Sequence, residues 1–197
     1  MVLIHNTKDK ILKLLISNKK QEFTIRSIAK KVDIDYKTVY LIIQKLIKEN
    51  IIYSKRAGQT ILCSINQKIF NPDIFRAEEI RKQELLYNKD AHVFYNKIKE
   101  DIKNPFFILL LFGSHVRGKQ RKNSDLDLLL ISDNDEITKK LKNIISITPL
   151  NIHLVNFNSK EFLSMLKTTD FNVGTEAKNN NIILFGIENY YELIKNA

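Results

Sequence analysis

The sequence has a single cysteine, Cys63, so no disulfide can close within the chain and a cysteine-rich metal site is excluded. That usage suits a reducing compartment, and a cytoplasmic location is the expectation. No basic stretch followed by a long apolar run opens the sequence, so no signal peptide is expected. The longest uninterrupted apolar run, Phe106 to Phe112, is far short of the roughly 20 residues a membrane span needs, and no membrane partner is expected. Acidic residues are scarce in the first third. Residues 1–67 hold 13 Lys and Arg against 5 Asp and Glu, a balance of +8, whereas residues 68–197 hold 19 against 17, a balance of +2. A segregated basic excess is what a surface meeting a polyanion shows, although a solvated lysine-rich surface gives the same count. What is present is enough for a fold: 197 residues allow one or two domains, and 44% hydrophobic residues can fill a core.

Hydrophobic spacing predicts a helix over Lys8 to Ser17 with Ile11, Leu14, Leu15 and Ile16 on one face. Thr24 is a capping residue for a short helix through Lys31. Asp33-Ile34-Asp35 makes a tight turn, and Asp35 can cap the next helix by accepting backbone N–H bonds. That helix runs to about Asn50, with Val39, Ile42, Ile43, Leu46 and Ile47 inward. Ile51 to Ser54 and Thr60 to Ile65 read as strands, joined by a hairpin turn over Lys55 to Gln59. The string TIRSIAKKVDIDYKTVYLIIQKLIKENII resembles the winged-helix transcription regulators along the whole helix-turn-helix. The resemblance implies double-stranded DNA as a partner and a homodimer on paired half-sites. The third helix leaves Tyr36, Lys37, Thr38, Tyr40, Gln44 and Lys48 outward, where its first turns would reach base edges in a major groove. Lys55 and Arg56 are expected at the wing tip, holding phosphates.

Asn71-Pro72-Asp73 starts a new helical stretch by cap and proline. It continues to about Lys103, with a break near Asn88-Lys89-Asp90. Ile74, Phe75, Ile80, Leu85, Leu86, Phe94, Tyr95 and Ile98 make it too apolar for a free linker, and its second half is expected to pack on a C-terminal sheet.

After Asn104-Pro105 the run Phe106 to Phe112 reads as a buried strand. It ends in Gly113-Ser114, and ten residues separate Ser114 from Asp125-Leu126-Asp127, which opens a second apolar run. Residues two apart on a strand face the same side, so Asp125 and Asp127 point together. Adjacent carboxylates are costly unless a cation lies between them, and magnesium is the natural oxygen-seeking choice. Gly113 removes a side chain where backbone would approach a phosphate. Ser114 can offer its hydroxyl and N–H at a helix start, with Arg117 and Lys119 adding positive charge. Phosphoryl and nucleotidyl transfer needs chiefly such positioning and charge neutralisation. The string LFGSHVRGKQRKNSDLDLLLIS resembles the glycine-serine and aspartate-x-aspartate signature of the minimal nucleotidyltransferases of the DNA polymerase beta superfamily. The resemblance covers about residues 90–197 and implies Mg2+, ATP as substrate, and Gly113, Ser114, Arg117 and Lys119 as nucleotide-binding residues.

The superfamily carries a third carboxylate on a later strand, and the corresponding stretch here, Leu150 to Val155, has none. Asn151 and His153 share one face, so one of them occupies that place. Imidazole can accept a proton near neutral pH and an amide cannot, which makes His153 a catalytic candidate beside Asp125 and Asp127. Asp133, Asp135 and Glu136 are expected to cap the helix that follows the second strand. Many minimal members are antitoxins that silence a HEPN-type toxin by transferring AMP to it, so the resemblance implies a nucleotidyltransferase acting on a protein. The alternative is a DNA-binding regulator whose C-terminal domain binds a nucleotide or a partner without chemistry. The expected fold is α/β (α+β): a winged helix-turn-helix over 1–67, a helical connector over 68–103, and a polymerase-beta-like mixed sheet with flanking helices over 104–197.

Overall fold

The computed structural model describes residues 6–116, 125–168 and 170–195. The chain divides into two compact units after Ile80. The first is built from α1 (Thr7–Ile16), β1 (Phe23–Thr24), α2 (Ile25–Val32), α3 (Tyr36–Lys48), β2 (Ile52–Ala57) and β3 (Thr60–Ile65). Asn6 and Asp9 close a reciprocal capping box on α1, and Thr24 and Asp35 cap α2 and α3 through the N–H groups of Ser27 and Thr38. Asp33 ends α2 in the left-handed region at φ 55°. Its core holds Ile11, Leu12, Leu15, Ile28, Val39, Ile43 and Leu46. Leu12, not the expected Leu14, faces fully inward, three residues after the buried Asp9 of the first turn and on the same side of the helix. Ile42 and Ile47 are only half-buried.

The strands pair antiparallel in the order β1-β3-β2, with Ala57 opposite Thr60 and a two-residue turn at Gly58-Gln59. Lys55 and Arg56 therefore lie within β2, opposite Leu62 and Ile61, and not at the hairpin tip. A two-residue turn suffices to reverse the chain, so the ladder continues farther than the residue types suggest.

The unit division falls inside α4 (Pro72–Leu85). Its first turns are tied to α1: Lys8 Nζ lies 2.6 Å from Asp73 Oδ1, and Arg76 Nε donates to Asp9 Oδ2 at 3.0 Å. Lys19 and Glu78, both buried, face each other at 3.8 Å.

The second unit contains α5 (Lys89–Asp101), β4 (Ile108–Phe112), β5 (Leu126–Ile131), α6 (Asp135–Ser146), β6 (Ile152–Phe157), α7 (Ser159–Lys167), α8 (Val173–Asn179), β7 (Asn181–Phe185) and α9 (Ile187–Ile194). Its mixed sheet runs β6-β5-β4-β7, parallel between β5 and β6 and antiparallel elsewhere. Every β4 residue is buried, as a central strand covered on both faces requires. On one face Leu109, Leu111, Leu128 and Leu130 pack with Phe94 and Ile98 of α5 and with Ile137, Leu141 and Ile144 of α6. The opposite face meets α8 and α9 through the side chain of Asn181, which donates to the Ala177 carbonyl at 2.6 Å and to the Tyr190 hydroxyl at 3.1 Å. Gly186 joins β7 to α9 at φ +76°, and a Cβ there would meet the Phe107 carbonyl at 2.3 Å. Phe106, expected inside, is 76% exposed, because the strand begins only at Ile108. The structure is thus a mixed α+β fold, and no helix among the described residues is long and apolar enough to cross a membrane.

Candidate functional site

Strand β4 delivers the chain to Gly113, which takes φ +77° and opens a turn through Val116. A Cβ on Gly113 would lie 2.2 Å from Asp127 Oδ2. The absent side chain therefore makes room for a carboxylate of the neighbouring strand, a closer constraint than the approach of a phosphate. Phe112 pairs with Asp127 across β4 and β5, and Asp127 pairs with His153 across β5 and β6. Asn181 pairs with Phe112 on the other side. Asn181, Phe112, Asp127 and His153 thus form one rung across all four strands, on the face away from α5 and α6.

Within that rung His153 Nδ1 lies 3.4 Å from Asp127 Oδ1. Parallel pairing sets His153, not Asn151, beside Asp127, and Asn151 precedes β6. Asp125 is exposed and immediately precedes β5, two residues before Asp127. Ser114 and His115 are half-buried in the turn after Gly113. Arg117 and Lys119, with the helix expected around them, lie outside the described residues.

Among the described residues no group of three or more His, Cys, Asp or Glu side chains gathers as a complete protein metal cage would. A magnesium ion held by one or two carboxylates and completed by substrate phosphates needs no such cage. Asp125 and Asp127, which carry hard carboxylate oxygens, fit that donor set.

The acids after β5 have other duties. Asn134 caps α6 by accepting from the Glu136 N–H, while Asp133 reaches forward to the first residue of α7. It accepts from the Ser159 N–H at 3.0 Å and from the Ser159 hydroxyl at 2.7 Å. These bonds, the backbone one first, hold the Asp133 carboxyl below its ordinary pKa. The expectation that Asp133 caps α6 is thus corrected, since the parallel β5–β6 pairing brings the two strand ends together. Asn181 was missed altogether; only the strand order places it on the rung, and nothing in its local sequence marks it.

In the first unit Tyr36, Lys37, Thr38, Tyr40 and Lys48 are exposed on α3, and Gln44 is half-buried. Tyr36 and Tyr40 stack with centroids 6.0 Å apart. Lys55 is engaged by Glu22 at 2.7 Å, which neutralises part of the charge expected to face phosphates. Arg56, one residue on, is exposed.

Residues 95–178 match the family model of the nucleotidyltransferase domain. The match lies wholly within the second unit and spans less than half of the chain. Two solved structures are similar at low identity. One is AF1382 from Archaeoglobus fulgidus, 19% identical, covering 44% of this chain and 93% of that one with a TM-score of 0.36. The other is a chain of a structure described as a toxin-antitoxin with AMP-PNP, 20% identical, covering 51% of this chain and 80% of that one with a TM-score of 0.30. No curated protein matches the sequence.

Proposed function

We infer that the second unit transfers a nucleoside monophosphate, AMP from ATP, to a hydroxyl of a protein acceptor. The observation that carries this reading is the Asp127 carboxylate seated against Gly113 with His153 beside it. Magnesium held by Asp125 and Asp127 would neutralise the triphosphate when bound. The acceptor oxygen attacks the α-phosphorus, forming the new O–P bond. The bond to the bridging oxygen breaks, and pyrophosphate leaves with the electron pair. The hydroxyl proton passes to His153: an Nδ1–H turned toward Asp127 leaves Nε2 as acceptor. Ser114, Arg117 and Lys119 are the nucleotide-binding residues of this reading.

The first unit is read as a winged helix-turn-helix that binds double-stranded DNA. Its support is the +8 balance of residues 1–67 and the exposed first turns of α3. Together the parts suit an antitoxin that modifies a HEPN-type toxin and represses its own operon, as a homodimer on paired half-sites. A second reading, a regulator that binds nucleotide without transferring it, is favoured by the residue beside Asp127 being an imidazole and not a third carboxylate.

Incubation with labelled ATP, magnesium and the product of the adjacent gene tests both, with Asp125→Asn plus Asp127→Asn as control. Label on the neighbour, lost in the control, supports transfer. ATP binding without label supports the regulator, and no ATP binding sinks both.

A further inference from the structure

Strand β6 is an edge of the mixed sheet, and among the described residues it pairs only with β5. Its two ends show which backbone groups remain open. The Leu126 N–H donates to the Asn151 carbonyl at 2.8 Å and the Ser132 N–H to the Phe157 carbonyl at 3.1 Å. In a parallel ladder, positions facing the neighbour alternate with positions facing away. The odd-numbered residues of β6 therefore turn their N–H and C=O toward β5, and Ile152, Leu154 and Asn156 turn theirs outward.

Soluble proteins protect an open edge with lysine, proline, a bulge or a covering segment. Residues Ile152 to Phe157 contain no Lys, Arg, Asp, Glu or Pro, in a chain in which 27% of residues are charged. Pairing with β5 runs without a register shift along the strand. Among the described residues this edge lacks the devices that would keep another strand off, and it borders the rung that carries Asp127 and His153.

We propose that the β6 edge binds an extended segment of the protein acceptor, which adds as a fifth strand through the N–H and C=O groups of Ile152, Leu154 and Asn156. The reading of a protein acceptor comes from the function proposed above; the docking mode does not depend on transfer taking place. An added strand lies about 4.8 Å beyond β6, and its residue opposite His153 projects on the same face, with Cβ atoms roughly 4.5–5.5 Å apart. A hydroxyl at that position is delivered next to His153, one strand from Asp127. Backbone pairing supplies affinity independent of sequence, and the opposing side chain supplies selectivity.

Two other occupants fit less well. A nucleic acid strand would find no Lys or Arg on this edge. A second copy would have to pair antiparallel about a two-fold axis normal to the sheet. That rotation preserves the faces, so opposed residue numbers must sum to an even value. Every such register overlapping most of the strand sets His153 against Val155 or Phe157 and Asn156 against Ile152 or Leu154. Both polar side chains of the strand then oppose apolar ones.

The test uses the full chain and the product of the adjacent gene. Amide exchange at Leu154 and Asn156 is measured with and without that protein, and its affinity is measured for wild type, Asn156→Ala and Asn156→Pro. Asn156 is exposed and its N–H faces outward, so proline removes an edge donor where sheets tolerate it. The expected result is slower exchange at both amides in the complex. Asn156→Ala should bind as wild type does, and Asn156→Pro about tenfold more weakly, with MgATP binding unchanged. Unchanged affinity of Asn156→Pro, or no binding of the neighbour, overturns the proposal. So does protection already present in the chain alone, which would assign the edge to a second copy. Label transfer separates the two readings. Full transfer by Asn156→Pro leaves the transferase standing without edge docking. Protection at Leu154 and Asn156 without any label leaves the docking standing without the transferase.

Discussion

Replacing Gly113 by alanine probes the corner on which the site is built. Two costs follow from the geometry. The first is backbone: φ +77° is a conformation an L-residue adopts only at about 1–2 kcal/mol. The second is steric. The new methyl would lie 2.2 Å from Asp127 Oδ2 and 3.1 Å from its Cγ, so the carboxylate must retreat by about 1 Å to reach ordinary contact. Asp127 is only half-buried, so its side chain can swing, and this second cost stays near 1 kcal/mol. The total expected loss is about 2–3 kcal/mol, read from hydrogen exchange at the buried amides of β4 and β5, which reports the opening of this unit alone. A displacement of that size at a reacting centre is expected to lower label transfer roughly 100-fold. The two costs separate in a double-mutant cycle. In an Asp127→Ala background the methyl meets no carboxylate, so Gly113→Ala should then cost only the backbone part. Equal destabilisation in both backgrounds, or none in either, would refute the contact between Gly113 and Asp127 as the reason for glycine here.

Three further outcomes are expected. Asp133→Asn should weaken the start of α7 at neutral pH but not in acid. The folded carboxyl sits below the ordinary aspartate range, so its stabilisation is present above the unfolded pKa and is lost as the pH falls through the folded pKa. Thermal midpoints of wild type and variant should therefore converge below about pH 4, and parallel curves would exclude the charge-assisted cap. Asn181→Ala removes buried donors to the Ala177 carbonyl and the Tyr190 hydroxyl and should cost roughly 1–3 kcal/mol by hydrogen exchange at β7; no loss would argue that water replaces the amide. For the first unit, Lys37→Ala with Arg56→Ala should lower DNA affinity and flatten the slope of log K against log salt by about 1.8, while Lys55→Ala, already paired with Glu22, should change it less. A larger effect at Lys55 than at Arg56 would reverse the assignment of phosphate contacts along β2.

Much of this was legible in the residues themselves. Helix starts were visible because caps act within three residues: Thr24 on Ser27, Asp35 on Thr38, and Asn88, near the expected break, on Asp90 and Ala91. The two strands that flank the candidate site were visible as apolar runs, and the aspartates were visible by their period of two. Side chains whose partners lie far along the chain were misread. Phe106 belongs to the apolar run in the sequence but precedes the strand. Asp133 was read with the helix beside it, although its partner Ser159 is 26 residues away. Residue types place Lys55 at a hairpin tip, whereas β2 extends past it.

Local periodicity and capping chemistry determined the order of helices and strands, because those interactions span one turn or one pleat and are written in adjacent residues. Pairing across the sheet decided the site. The choice of His153 over Asn151, the closeness of Gly113 to Asp127, and the presence of Asn181 on the same rung all depend on which strands lie side by side and in what register. Those contacts join segments tens of residues apart, and no local spacing encodes them.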